Sequence, residues 1–87
     1  MVVGVYWYTN AAKRGLVDAQ YNLGVVYANR SGTPKNKVLA HVWWNIAAAE
    51  GIEVAVNNRD LIEKDMTPNQ IAEAQELSKE YYVKYAK

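Results

Sequence analysis

His41 is the single histidine in a chain of 87 residues that contains no cysteine. Zinc and related metals are held by several imidazole, thiolate or carboxylate ligands together, so one imidazole with no second histidine and no thiolate forms no ligand pattern. His41 therefore reads as a surface or groove histidine, capable at most of a weak pH-sensitive contact. Asp60, Glu63 and Asp65 gather near one helix end, and paired carboxylates are the usual tools of acid-base chemistry. Without a cleft signature around them they read as a solvated face. The serines, Ser31 and Ser78, both lie outside the glycine-flanked elbow that presents a nucleophile. No catalytic residue, metal ligand or cofactor is expected, and a small accessory hydrolase is the least favoured function.

The remaining chemistry-bearing side chains are suited to recognition. Seven tyrosines and three tryptophans stand beside no phenylalanine at all. Both types join a large apolar body to a polar handle and are enriched in interfaces as well as cores. Asn22 and Asn58 recur at one spacing, and each amide offers a donor and an acceptor to a passing peptide backbone. The plainer reading of Asn22 is a tie between its helix and a neighbouring loop.

These residues have to be positioned by repeated elements. Shifting the chain by 36 residues lays Trp7 on Trp43, Tyr8 on Trp44, Ala11 on Ala47, Ala12 on Ala48, Gly15 on Gly51, Ala19 on Ala55 and Asn22 on Asn58. Such a period belongs to helical solenoids, whose helix pairs bury their apolar faces by stacking on one another. Composition agrees with a small globular domain: 51% of residues are hydrophobic and 22% charged. No apolar run reaches the roughly 20 residues of a membrane span. With a net charge of +1 and scattered lysines there is no basic stripe for phosphate neutralisation, so nucleic acid is not an expected partner. The opening MVVGVYWY lacks a basic region ahead of a long apolar core, so it does not read as a secretion signal. Cytoplasm is the default location, with periplasm or exterior if a leader has been removed.

The spacing predicts five helices. Residues 2–14 carry Val3, Trp7 and Ala11 on one stripe and stop at Gly15. Residues 17–29 place Ala19, Leu23, Val26 and Tyr27 on one face, and Gly24 in the helix interior points to close approach of another helix. Asn29, Ser31, Gly32 and Pro34 then interrupt. The third helix is expected over 37–50 behind an Asn36 cap, with Thr33 and Pro34 as a competing start. It is apolar on so much of its circumference that neighbours must sandwich it. Residues 53–64 form the fourth helix. Thr67-Pro68-Asn69-Gln70 is a capping box opening the fifth, in which Ile71, Ala74, Leu77, Ser78, Tyr81 and Tyr85 share a face.

Gln20-x-x-Leu23-Gly24-x-x-Tyr27 followed by Ala40-x-x-x-Trp44 resembles the tetratricopeptide pattern, with Gln20 in the tryptophan position. The longer turn with Gly32, the pair Trp43-Trp44 before Ala47-Ala48, and the Gly51 stop are more similar to its relative, the Sel-one-like repeat. Residues 66–74 also resemble the end of bacterial members. Leu16 and Ile52 depart from the resemblance, standing where a small or acidic residue often caps a helix, as do Arg59-Asp60 in place of Leu-Gly. The resemblance implies an all-α, short α-α superhelix: a partial repeat over 2–15, a full repeat over 17–51, a degenerate partial repeat over 53–65 and a capping helix over 67–86.

It further implies a non-catalytic scaffold for protein-protein contacts. In this family relationship Trp7, Tyr8, Tyr27, Trp43 and Trp44 are packing residues, while Tyr6, Tyr21, Tyr82 and Tyr85 have no assigned place. If the first helix of each pair lines the concave face, Asp18, Tyr21, Asn22, Val25 and Asn29 look into the groove, joined one repeat later by Val54, Asn57, Asn58, Leu61 and Asp65. The expected partner is a peptide or protein segment. The alternative is a self-assembling module, a homodimer through residues 2–14, or a piece of a longer array.

Overall fold

In the computed structural model the backbone is described for residues 2–29 and 34–85, and side chains for 7–29 and 36–85. Five helices follow in order: α1 (Val2–Lys13), α2 (Val17–Asn29), α3 (Pro34–Ala49), α4 (Glu53–Glu63) and α5 (Pro68–Tyr85). The chain is all-α, as its spacing predicts. The expected breaks at Ser31 and Gly32, the Thr33 of the competing start, and the side chains of Val3, Tyr6 and Pro34 lie outside the described residues.

The helix ends show why the chain turns where it does. Gly15 and Gly51, one repeat apart, have φ of 86° and 99°. That left-handed backbone is strained for any residue with a Cβ. Around each glycine the same bond pair closes the preceding helix: Gly15 N–H donates to Ala12 C=O and Leu16 N–H to Ala11 C=O, while Gly51 N–H donates to Ala48 C=O and Ile52 N–H to Ala47 C=O. This is the Schellman arrangement, which satisfies carbonyls that the helix itself cannot. Ile52 then starts α4 in extended conformation with no side-chain cap. At α5 the capping box is complete, since Thr67 N–H donates to Gln70 Oε1 at 2.9 Å and Gln70 N–H donates to Thr67 Oγ1 at 3.1 Å.

The third helix corrects one expectation. It begins at Pro34 and ends at Ala49, rather than running from 37 to 50 behind Asn36. Proline has no N–H to lose and its φ is preset for a first helical position, so the competing start prevails and Asn36 falls inside the first turn.

This α3 is the hub of the molecule. It packs against α2 and α4 with one part of its surface and against α5 with another, while α1 rests mainly on α2. Val38, Ala40, Val42, Trp43, Trp44, Ile46 and Ala47 are all at most 5% exposed. Burial of each large apolar side chain contributes on the order of 2 kcal/mol, which explains why one helix with so many buried apolar residues can organise so short a chain. The two tryptophans face different ways. Trp43 joins Tyr81 and Tyr85 of α5, with ring centroids 5.3 and 5.9 Å away. Burial, then the neighbouring Tyr85, Tyr27 and Glu80, hold the Tyr81 phenol above its usual pKa. Trp44 lies on α2 directly over Gly24, where an added Cβ would come within 2.4 Å of Nε1.

One further expectation changes. Trp7 is 69% exposed, not a buried packing residue like its repeat mate Trp43. The α5 helix that stacks on Trp43 does not extend over Trp7, and no described helix takes that place. Tyr85, which has no place in the repeat pattern but shares the expected apolar face of α5, is half-buried in the Trp43 cluster, where Lys13 also lies 5.7 Å from its ring centroid.

Candidate functional site

His41, Glu63 and Ser78, the polar side chains of types that do chemistry, meet at the junction of α3, α4 and α5. His41 is only 1% exposed, which corrects the expectation of a surface histidine. It lies on the α3 face that α4 and α5 cover. Its Nε2 is 2.6 Å from Glu63 Oε2, and its Nδ1 is 3.1 Å from Asn45 Nδ2. Arg59 donates to Asn45 Oδ1 at 3.0 Å, which fixes the amide orientation because a guanidinium can only donate. Asn45 Nδ2 therefore donates to His41 Nδ1, and His41 carries its proton on Nε2, pointed at Glu63. Asn45 Nδ2 also donates to Ser78 Oγ at 3.0 Å, and Ser78 Oγ donates to Ala74 C=O at 2.7 Å.

A serine, a histidine and a glutamate thus share one neighbourhood, but not as a nucleophile with its base. Asn45 stands between His41 and Ser78, and the Ser78 proton is directed to a main-chain carbonyl. The arrangement ties three helices together through satisfied bonds in a low-dielectric setting. It also revises the solvated-face reading for Glu63, while Asp60 and Asp65 remain exposed. Glu63 is bound to His41, Asp60 accepts from Arg59 at 3.2 Å and is 62% exposed, and Asp65 is exposed with its main-chain carbonyl receiving Lys37 Nζ at 3.4 Å. Among the described residues no group of three or more His, Asp or Glu side chains is placed to hold a metal.

Concave surface is formed beside this network, in a pocket between α3 and α5 lined by Asn45, Ser78, Tyr82 and Val83, and also by α2 and α4 with α3 as the floor. A groove of about 450 Å³ there is lined by Tyr21, Val25 and Asn29 of α2, by Asn58 and Leu61 of α4 and by Asp65 just beyond its end, with Trp44 beneath and Lys37 at the edge. Its wall is held by two bonds to one tyrosine: Trp44 Nε1 donates to the Tyr21 carbonyl at 3.2 Å, and Asn58 Nδ2 donates to the Tyr21 hydroxyl at 3.2 Å. Leu61, 59% exposed, supplies an apolar contact in the open part. Lys37 and Asp65 put one charge of each sign at its rim.

The residues expected on one face are therefore divided. Tyr21, Val25, Asn29 and Asn58, with Leu61 and Asp65, share this groove. Asp18 and Asn22 line a second one, of about 420 Å³, with Trp7, Tyr8, Ala11 and Leu16. Asn57 is exposed and Val54 is 46% exposed, and neither lines either of these two grooves. Asn22 and Asn58 do not form a row in one groove, because Asn58 is bonded to Tyr21 of α2 while Asn22 lies beside Trp7, Tyr8 and Ala11 of α1. Lys37 and the tryptophan floor were absent from the expected set. The register of Lys37 at the start of α3, facing the end of α4, depends on a tertiary turn that periodicity does not describe.

The profile of the Sel1 repeat matches residues 2–16 and 17–52, more than half of the chain. The chain belongs to the Sel1 repeat family. No curated protein matches it. Among solved structures it is similar to c5321, a protective antigen present in uropathogenic Escherichia coli strains and displaying an SLR fold, with 34% identity and a TM-score of 0.85. That match covers 94% of the present chain and 18% of c5321, so this chain spans about a fifth of the length of that relative. Sel1 repeats are helical solenoids that commonly act as scaffolds for protein interaction and are generally non-catalytic.

Proposed function

We propose that this Sel1 repeat domain is a non-catalytic adaptor that binds an extended peptide or protein segment in the groove between α2 and α4. The observation that carries this is the lining. The exposed Leu61 and half-buried Val25 lie beside Asn29, Lys37 and Asp65, which gather at one end of the groove, over a floor already held by Trp44 and Tyr21. An apolar anchor flanked by donors and acceptors suits a peptide, whose backbone needs hydrogen bonds while its side chains seek burial. A preorganised floor also lowers the ordering cost of binding.

The test is selection from a displayed peptide library, with a Leu61→Asp variant as the counter-target. Leu61 is exposed, so its replacement should leave the melting temperature within a few degrees of wild type. Peptides selected by wild type should bind the variant at least about tenfold more weakly, as expected when a charge replaces an apolar anchor. Selected peptides that bind both proteins equally would move the site off this groove.

A further inference from the structure

Every bond around the Asn45 amide has a fixed direction, and both of its N–H groups are in use. Arg59 Nη1 donates to Asn45 Oδ1 at 3.0 Å, while Asn45 Nδ2 donates to His41 Nδ1 at 3.1 Å and to Ser78 Oγ at 3.0 Å. His41 Nε2–H meets the Glu63 carboxylate at 2.6 Å, and the histidine is 1% exposed. This pattern fits only a neutral imidazole. A second proton, on Nδ1, faces an NH2 group, donor against donor, in a buried site where an unpaired donor is costly. The charged groups bonded to this cluster come from α4: Glu63, and Arg59 with Asp60 holding its Nε and Nη2 at 3.2 Å. From α5 comes the neutral Ser78, and one turn back on α3 Lys37 directs its Nζ to the Asp65 carbonyl.

We propose that Asn45 is an acid-operated switch that releases Arg59 from α3 when His41 takes up a proton. As His41 becomes an imidazolium, the Asn45 amide turns over, so that Oδ1 accepts from His41 Nδ1–H and Nδ2 points at Arg59. A guanidinium cannot accept, and it leaves. Glu63 keeps its bond, because a carboxylate accepts from Nε2–H in both states and the contact becomes an ion pair. The Ser78 hydroxyl, donor and acceptor in one, can meet either end of the amide. Asp60 is 62% exposed and retains its hold, so Arg59 swings toward solvent. The two-state element is the amide, and the proton on His41 biases it. Its turn exchanges a bond between α3 and α4 for a released cation beside the pocket that Asn45 and Ser78 line.

The test is an NMR titration of the intact, isotope-labelled chain from about pH 8 to about pH 5, the range in which an imidazole changes charge. At the upper end the His41 ring nitrogens should report a neutral ring protonated on Nε2. As His41 titrates, the Asn45 side-chain amide and the Arg59 Nη1 protons should shift with the same midpoint, while the Trp43 and Trp44 indole signals stay in place. Protection of the Arg59 Nη1 protons from exchange, taken relative to the exposed Arg14, should fall about fivefold, as expected for loss of one hydrogen bond. In Asn45→Asp the side chain only accepts, so it can hold Arg59 and a charged His41 together. There the Arg59 Nη1 protons should stay protected across the whole range. An imidazole that remains neutral throughout overturns the proposal. So does titration of His41 with Asn45 and Arg59 unmoved, or Arg59 release in Asn45→Asp equal to wild type. Movement of the tryptophan indoles with the same midpoint would report acid unfolding in place of a switch and overturn it as well. Should the variant not fold, the wild-type midpoints decide.

Discussion

Gly24 and Trp44 show how one missing side chain sets a helix distance. Alanine is the better helix former by about 1 kcal/mol, yet its Cβ would overlap an indole held by the Tyr21 carbonyl. Gly24→Ala should therefore destabilise the fold by about 2 kcal/mol, measurable by urea denaturation, instead of stabilising it. A gain in stability would show that Trp44 is free to move aside. His41 is the second decisive residue. His41→Ala should cost about 3 kcal/mol in the same measurement, because it opens a cavity and strands the Glu63 carboxylate and the Asn45 amide. A loss below about 1 kcal/mol would contradict the buried network. The close approach at Gly24 was legible in the sequence, since a glycine inside a helix has few other uses. The network was not, although its signal was present. His41 with Asn45, and Arg59 with Glu63, each stand four residues apart on helices that face each other, and a single histidine drew attention only to its missing metal partners.

Helices and their ends were the most legible level. Glycine stops, the Thr67–Gln70 box and the apolar periods depend on bonds within a few residues, so local sequence decides them. Thr67→Ala removes the hydroxyl that receives the Gln70 amide and should lower stability by about 1 kcal/mol. The loss should appear as faster amide exchange in the first turn of α5; unchanged exchange there would mean that packing of Met66 and Ile71, not the cap, holds the turn. The start of α3 was harder to read because two local signals competed, and proline at a first helical position outweighed asparagine as a cap. Exposure of Trp7 was not legible at all. Its type and register equal those of Trp43, and only the absence of a covering helix among the described residues separates them.

At the scale of the whole molecule, the sandwiching of α3 follows from its apolar circumference, and the family resemblance predicts the superhelical path. The division of the expected concave residues between two grooves follows from neither. Which asparagine meets which helix depends on how successive pairs stack, and that geometry is visible only when the helices are assembled. The result is a molecule with one preformed groove over Trp44 and one open face beside Trp7, so the three tryptophans report on different surfaces. The measurement that tests the binding role most directly is an NMR titration of the intact chain with a peptide selected by the wild-type protein and not by Leu61→Asp. A peptide lying between α2 and α4 shifts the Trp44 indole N–H and the Asn58 and Asn29 side-chain amides, while the Trp7 indole stays in place. Shifts confined to Trp7 and Asn22, with Trp44 and Asn58 unmoved, would contradict a peptide site in the α2–α4 groove.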